Sequence, residues 1–195
     1  WSWRSVIVMA EYVVPKKRAA FAVVQLGTEV LLVANKRTDG RIKWSLPGGS
    51  VHGAESLLER LEKEVSDETG IEVINWSEEK IYTSLVKYRG TRNDLDRFTE
   101  VHQAGDWSWR DGRATDPEDL LRFEDERLSG ERLGVVAGFF SDLPPDGSLV
   151  RNLRRYVHEP ILDWRSLPWE GPRHYEYLVE GRGPDRTVTR LVPPE

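Results

Sequence analysis

Hydrophobic positions change period along the chain, and the changes predict its elements. Ala19 to Leu26 and Glu29 to Ala34 are short β-branched runs separated by Gly27-Thr28, which reads as a hairpin. Asn35 to Lys43 is polar and carries the turn signal Asp39-Gly40 before Trp44-Ser45-Leu46-Pro47-Gly48-Gly49, a segment expected to be loop. From Ala54 to Thr69 the apolar residues Leu57, Leu58, Leu61 and Val65 fall on one helical face, and Gly70 stands where a helix commonly stops on a left-handed residue. Ile71 to Ile74, Ile81 to Tyr88 and Leu133 to Phe140 then read as strands, the last of them buried.

Arg89 to Arg132 is charged and weakly patterned. It is expected to be an insertion at about 89–132, with a helix near Pro117 to Leu128 started by Asp116-Pro117. Within it, Trp107 and Trp109 share one side of any strand and predict a local mini-core. Leu143 to Gly147 reads as a turn, and Tyr175 to Val179 with Thr187 to Val192 as a closing hairpin. The expected organisation is a single domain over 1–195, with a core at about 10–170 and a C-terminal extension or hairpin at 171–195.

Composition narrows the chemistry. The 195 residues include no cysteine, which excludes disulfides, Cys-ligated zinc, iron-sulfur clusters and thiol nucleophiles. A net charge of −5 gives no general attraction to nucleic acid or anionic lipid, and the apolar runs are too short to span a bilayer. With no secretory pattern ahead of these runs, the expectation is a cytoplasmic protein.

The predicted helix is unusually acidic. From Glu55 to Glu68 there are six acids and two bases, and Glu64, Asp67 and Glu68 stand at i, i+3 and i+4, so that they project from one side. Like charges repel at this spacing, and the last turns of a helix disfavour acids. A hard divalent cation such as Mg2+ or Mn2+ would offset both penalties, because it favours oxygen ligands. The bland alternative is a solvated charged face. Gly48-Gly49 shifts the balance, since glycines allow close backbone approach to a metal or a phosphate.

Gly49-SVHGA-Glu55-SLLERLE-Lys63-Glu64-Val65-Ser66-Asp67-Glu68-Thr69-Gly70-Ile71 resembles the Nudix box, G-x5-E-x7-R-E-U-x-E-E-x-G-U with U aliphatic, in its spacing throughout. Lys63 stands where that family has Arg, and Asp67 where it usually has Glu. The resemblance implies an α/β/α sandwich around a mixed sheet and metal-dependent hydrolysis of a nucleoside diphosphate linked to another group. By position it makes Glu64 and Glu68 the principal metal ligands, Asp67 an additional or water-mediated one, and the Gly48 carbonyl a further one. Glu55 would brace the loop and helix, with Gly49 and Gly70 structural in the motif. The residue at 63 would orient Glu64; Lys63 keeps the charge of Arg without its bidentate fork. The general base would be a box Glu, Glu64, or a later one, for which Glu159 is the candidate.

Arg37, Trp44 and Tyr88 are the candidate substrate contacts, with Tyr82, Trp164 and Trp169 as further aromatics able to stack on a base but better suited to packing. Arg151, Arg154 and Arg155 could meet phosphates or form a solvated basic turn. The expected partner is a small-molecule nucleotide, with no strong case for nucleic acid, no membrane, and a homodimer left open. A Nudix-fold module that binds a nucleotide without turning it over is the alternative to the enzyme.

Overall fold

The computed structural model describes residues 14–36, 42–53, 56–91, 93–110, 123–124, 134–142, 154–166, 170–182 and 186–191. In chain order the elements are β1 (Lys16–Val23), β2 (Gln25–Leu26), β3 (Glu29–Lys36), β4 (Ile42–Ser45), β5 (Gly48–Val51), α1 (Leu57–Thr69), β6 (Ile71–Val73), β7 (Trp76–Arg89), β8 (Leu95–Ala104), β9 (Trp107–Trp109), β10 (Phe123–Glu124), β11 (Gly134–Ser141), α2 (Arg155–Ser166), β12 (Arg173–Glu180) and β13 (Thr187–Arg190).

One mixed sheet runs β13-β12-β7-β8-β1-β5, with β1 parallel to β8, β12 parallel to β7, and the other neighbours antiparallel. A second sheet, β10-β11-β3-β2 with β4 on β3, is antiparallel throughout. Strand alternation splits the core in two. Ala20 and Ala22 of β1 join Leu61 and Val65 of α1, together with Leu31, Ile71 and Trp109, in one cluster. Val23, in the opposite phase, joins Val30, Leu32, Tyr82, Tyr156 and Ile161 in the other, which α2 covers. Helices on both sides of the mixed sheet give the expected α/β sandwich.

α1 ends as its sequence predicts. Gly70 has φ 73°, its N–H donates to the Ser66 carbonyl, and the Ile71 N–H donates to Thr69 Oγ1, turning the chain directly into β6. The 171–195 hairpin forms as β12 and β13 and extends the mixed sheet beside β7.

Several expectations are corrected. Of the expected Trp44 to Gly49 loop only Leu46 and Pro47 lie outside strands: Trp44 and Ser45 end β4, which pairs with β3, and Gly48 and Gly49 begin β5, the edge of the mixed sheet beside β1. Asn35 of β3 and Ser45 of β4 are polar strand residues that line a cavity, where both faces of a strand need not be apolar. The segment 89–132 is not an insertion from its start, because β8 lies between β7 and β1 in the middle of the main sheet. Its charged residues misled the reading because many sit half-buried in cross-strand pairs, such as Arg89 with Asp96 and Lys80 with Glu100. Phe123–Glu124, within the expected helix at 117–128, is strand paired to β11; the rest of that span and the Leu143 to Gly147 turn lie outside the described residues. Trp107 and Trp109 pack edge to face at 5.9 Å, and Trp107 stacks on Phe140, so they belong to the main α1-side core rather than to a local one. Among the described residues no helix is long and apolar enough to cross a membrane.

Candidate active site

Glu64 and Glu68 lie one turn apart on α1 and meet the backbone of β5. The Gly48 N–H donates to Glu68 Oε2 at 2.8 Å, and a Cβ at residue 49 would stand 3.6 Å from the Glu64 carboxyl carbon. Gly48 has φ 133°, and a Cβ there would fall 2.3 Å from the Ala20 carbonyl oxygen, so only glycine fits this close approach of β5 to β1. Burial pushes the Glu68 carboxyl up to about 8, against the Gly48 hydrogen bond and with help from the charges of Glu64 and Asp67. A carboxylate so placed lacks positive charge.

The other wall of the same two glycines is a cavity of about 240 Å³. Trp44, Tyr82 and Tyr156 give it aromatic surface, and Arg97 and Arg154 give it cations. Arg97 lies over the Tyr88 ring at 5.5 Å, and Arg154 lies over Tyr156 and donates to its hydroxyl. Burial opposes the Arg154 charge, but the Tyr156 and Tyr88 oxygens more than offset it, so its pKa is raised and it stays a cation. Among the described residues neither arginine forms a salt bridge with a carboxylate.

Gly48, Gly49, Glu64 and Glu68 come together, and Trp44 joins them across the cavity. Lys63 and Asp67 do not, because both line an outer groove with Glu59, Glu62 and Glu72. The i, i+3, i+4 spacing thus spreads the acids over a wider arc than one side. Among the described residues no three His, Asp or Glu side chains form a metal cage by themselves. Tyr88 is buried, its hydroxyl donating to Tyr156, and it does not line the cavity; Tyr82, earlier on the same strand β7, does. Glu159 sits inside α2, ion-paired with Arg155 and Arg190 and accepting from the Tyr177 hydroxyl at 3.1 Å, away from the cavity lining. Arg37, Glu55, Arg151 and Trp169 lie outside the described residues.

Sequence reasoning did not single out Arg97, Tyr156 or Arg60. The signal for Arg97 is its i, i+2 spacing with Thr99, which puts both on one face of β8 and which the charged neighbours mask in the sequence. Tyr156 lies on a helix containing Pro160, a residue that argues against helix because it lacks an N–H.

A model of the NUDIX domain matches residues 15–125, more than half of the chain. The chain belongs to the Nudix family and is a pyrophosphohydrolase of that family, whose members act on nucleoside diphosphate derivatives. No curated protein matches the sequence. Solved structures share the fold at low identity. A mutator MutT protein from Bacillus halodurans is 16% identical with a TM-score of 0.53, the match covering 88% of this chain and 97% of that one. Two NUDIX hydrolases from Nitrosomonas europaea are similar: one at 14% identity, TM-score 0.54 and coverage of 88% and 82%, the other at 19%, 0.51 and coverage of 77% and 89%.

Proposed function

We propose that the protein hydrolyses a diphosphate bond in a nucleotide or nucleotide derivative with Mg2+ or Mn2+ as cofactor. The observation that carries this reading is the convergence of Glu64 and Glu68 on Gly48-Gly49, the strip of backbone that also walls the aromatic and cationic cavity. The donors fit a hard cation. Magnesium is commonly held by one or two carboxylates, waters and substrate phosphates rather than by an all-protein cage, and a carboxyl raised to about 8 by burial gains from a nearby positive charge. Glu64, Glu68 and the Gly48 carbonyl would hold the ion.

What the cation supplies is charge neutralisation of the diphosphate and a more acidic water. The chain does the rest. Trp44, Tyr82 and Tyr156 offer faces for a base, while Arg97 and Arg154 hold anionic oxygens in the cavity. Glu64 accepts a proton as a water oxygen bonds to phosphorus and the bridging P–O bond breaks, the electron pair leaving on the departing phosphate. Glu159 is the poorer candidate base, because its carboxylate is already engaged by two arginines and a tyrosine.

The test is product release from nucleoside triphosphates, ADP-ribose, dinucleoside polyphosphates and nucleotide sugars with Mg2+ or Mn2+, comparing wild type with Glu64→Gln and Glu68→Gln. Metal-dependent turnover that both substitutions abolish is the expected result. Nucleotide binding without turnover on any substrate would overturn the hydrolase in favour of a binding module.

A further inference from the structure

Two cations precede Glu64 on α1, and the structure separates them. Lys63 is exposed and lines the outer groove with Glu59, Glu62 and Asp67. Arg60, one turn before Glu64, ion-pairs with its Oε1 through Nη2. The two side chains are 28% and 22% exposed, and the Arg60 Nε is fully buried without a hydrogen-bond partner among the described residues.

Helix stability does not account for this pair. With the cation N-terminal to the acid, it is the weaker orientation for an i, i+4 ion pair. A surface pair is worth little, and a buried donor left without an acceptor is a cost. The arrangement makes sense if the gain lies in where it holds the carboxylate: above Gly49, one turn from Glu68 and beside the cavity.

We propose that Arg60 is the positioning residue for Glu64, taking in this chain the part that resemblance to the family gives to the residue at 63. This rests on the function proposed above. A guanidinium is always charged and rigid, so it holds one carboxylate oxygen in place; no described group hydrogen-bonds Oε2, which stays available to a cation or a water. The Lys63 departure is then neutral for the site, because Lys63 lines the outer groove rather than facing Glu64.

The experiment compares Arg60→Met, Arg60→Lys, Lys63→Met and the double variant Arg60→Met/Lys63→Arg with wild type. Three readouts are taken: the Mn2+ dissociation constant without substrate, from the paramagnetic resonance of free Mn2+; kcat and KM on the substrate found by the panel; and the thermal midpoint. Arg60→Met is expected to weaken Mn2+ binding and lower kcat by about 10-fold or more, with KM changed far less. Arg60→Lys recovers part of both, and Lys63→Met loses less than Arg60→Met. The double variant stays as impaired as Arg60→Met, since residue 63 points to the outer groove.

Wild-type values in Arg60→Met would overturn the proposal, as would tighter Mn2+ binding, which would mean that the guanidinium competes with the cation. Equal or greater losses in Lys63→Met, or rescue by Arg at 63, would return the role to residue 63. If Arg60→Met fails to fold, Arg60→Lys decides, because wild-type Mn2+ affinity and kcat there would refute a need for the planar fork. A wild-type protein that binds no Mn2+ and turns over nothing would remove the function itself, an outcome distinct from a failure confined to the Arg60 variants.

Discussion

α1 and α2 carry the same local motif, an Arg followed four residues later by a Glu, and put it to different use. Arg60–Glu64 and Arg155–Glu159 are both ion pairs, and their carboxylates are equally exposed, at 22% and 21%. Their neighbours differ. Glu159 also faces Arg190 and accepts from Tyr177, so it sits amid an excess of positive charge that ties α2 to the C-terminal hairpin. Glu64 has one arginine, with Glu68 one turn away and the bare backbone of Gly49 above it. Burial alone does not mark a reactive carboxylate; the balance of charge around it does.

The sharpest way to break this comparison is to remove each charge in turn. Glu64→Gln and Glu68→Gln should each lower kcat by at least about 100-fold, and Glu159→Gln should lose far less while reducing thermal stability. Steady-state kinetics and melting curves on the three variants would show whether the two helices differ as described; equal loss of kcat in Glu159→Gln would erase the distinction.

Next in size is the backbone beneath the α1 pair. Gly48→Ala places a Cβ against the Ala20 carbonyl oxygen at a φ that L-residues rarely adopt, so the urea midpoint should report a loss of about 2 to 3 kcal/mol. α2 contains no glycine.

Charge deficit also predicts a pH effect. The folded-state pKa of Glu68 is raised from the ordinary 4.5 to about 8, so between those values the folded protein binds more protons than the unfolded one. Without divalent cations, stability should therefore fall as pH rises through that window, read as a falling melting temperature. Mn2+ at pH 8 should reverse the fall, and Glu68→Gln should flatten it. Calorimetry across the range with and without Mn2+ checks the sign.

The smallest effect belongs to α2. Tyr177→Phe deletes one hydrogen bond to Glu159 and should cost about 1.5 kcal/mol by chemical denaturation, with a smaller change in kcat than either α1 substitution.

Much of the site was legible because it is local. The residues from Gly48 to Ile71 follow one another through a strand, a turn and a helix, so their spacing already places Glu64 and Glu68 on neighbouring turns beside a glycine pair. Strands beyond α1 were harder to read. β8 is one of the two middle strands of the mixed sheet, yet its half-buried charges pair across strands and conceal its period, and with it the place of Arg97. α2 is obscured by Pro160, a buried residue inside the helix whose missing N–H argues against helix in the sequence.

The chain's own sequence determined the family, the α1 helix with its glycine stop, and the pair of carboxylates one turn apart beside Gly48-Gly49, since each depends on residues within a few turns of one another. Tertiary structure decided which arginine serves Glu64, that Lys63 and Asp67 look outward, that Tyr82 rather than Tyr88 borders the cavity, and that Glu159 is spent on holding α2 to β12 and β13. These depend on the direction a side chain takes and on partners from distant strands, and spacing along a chain encodes neither.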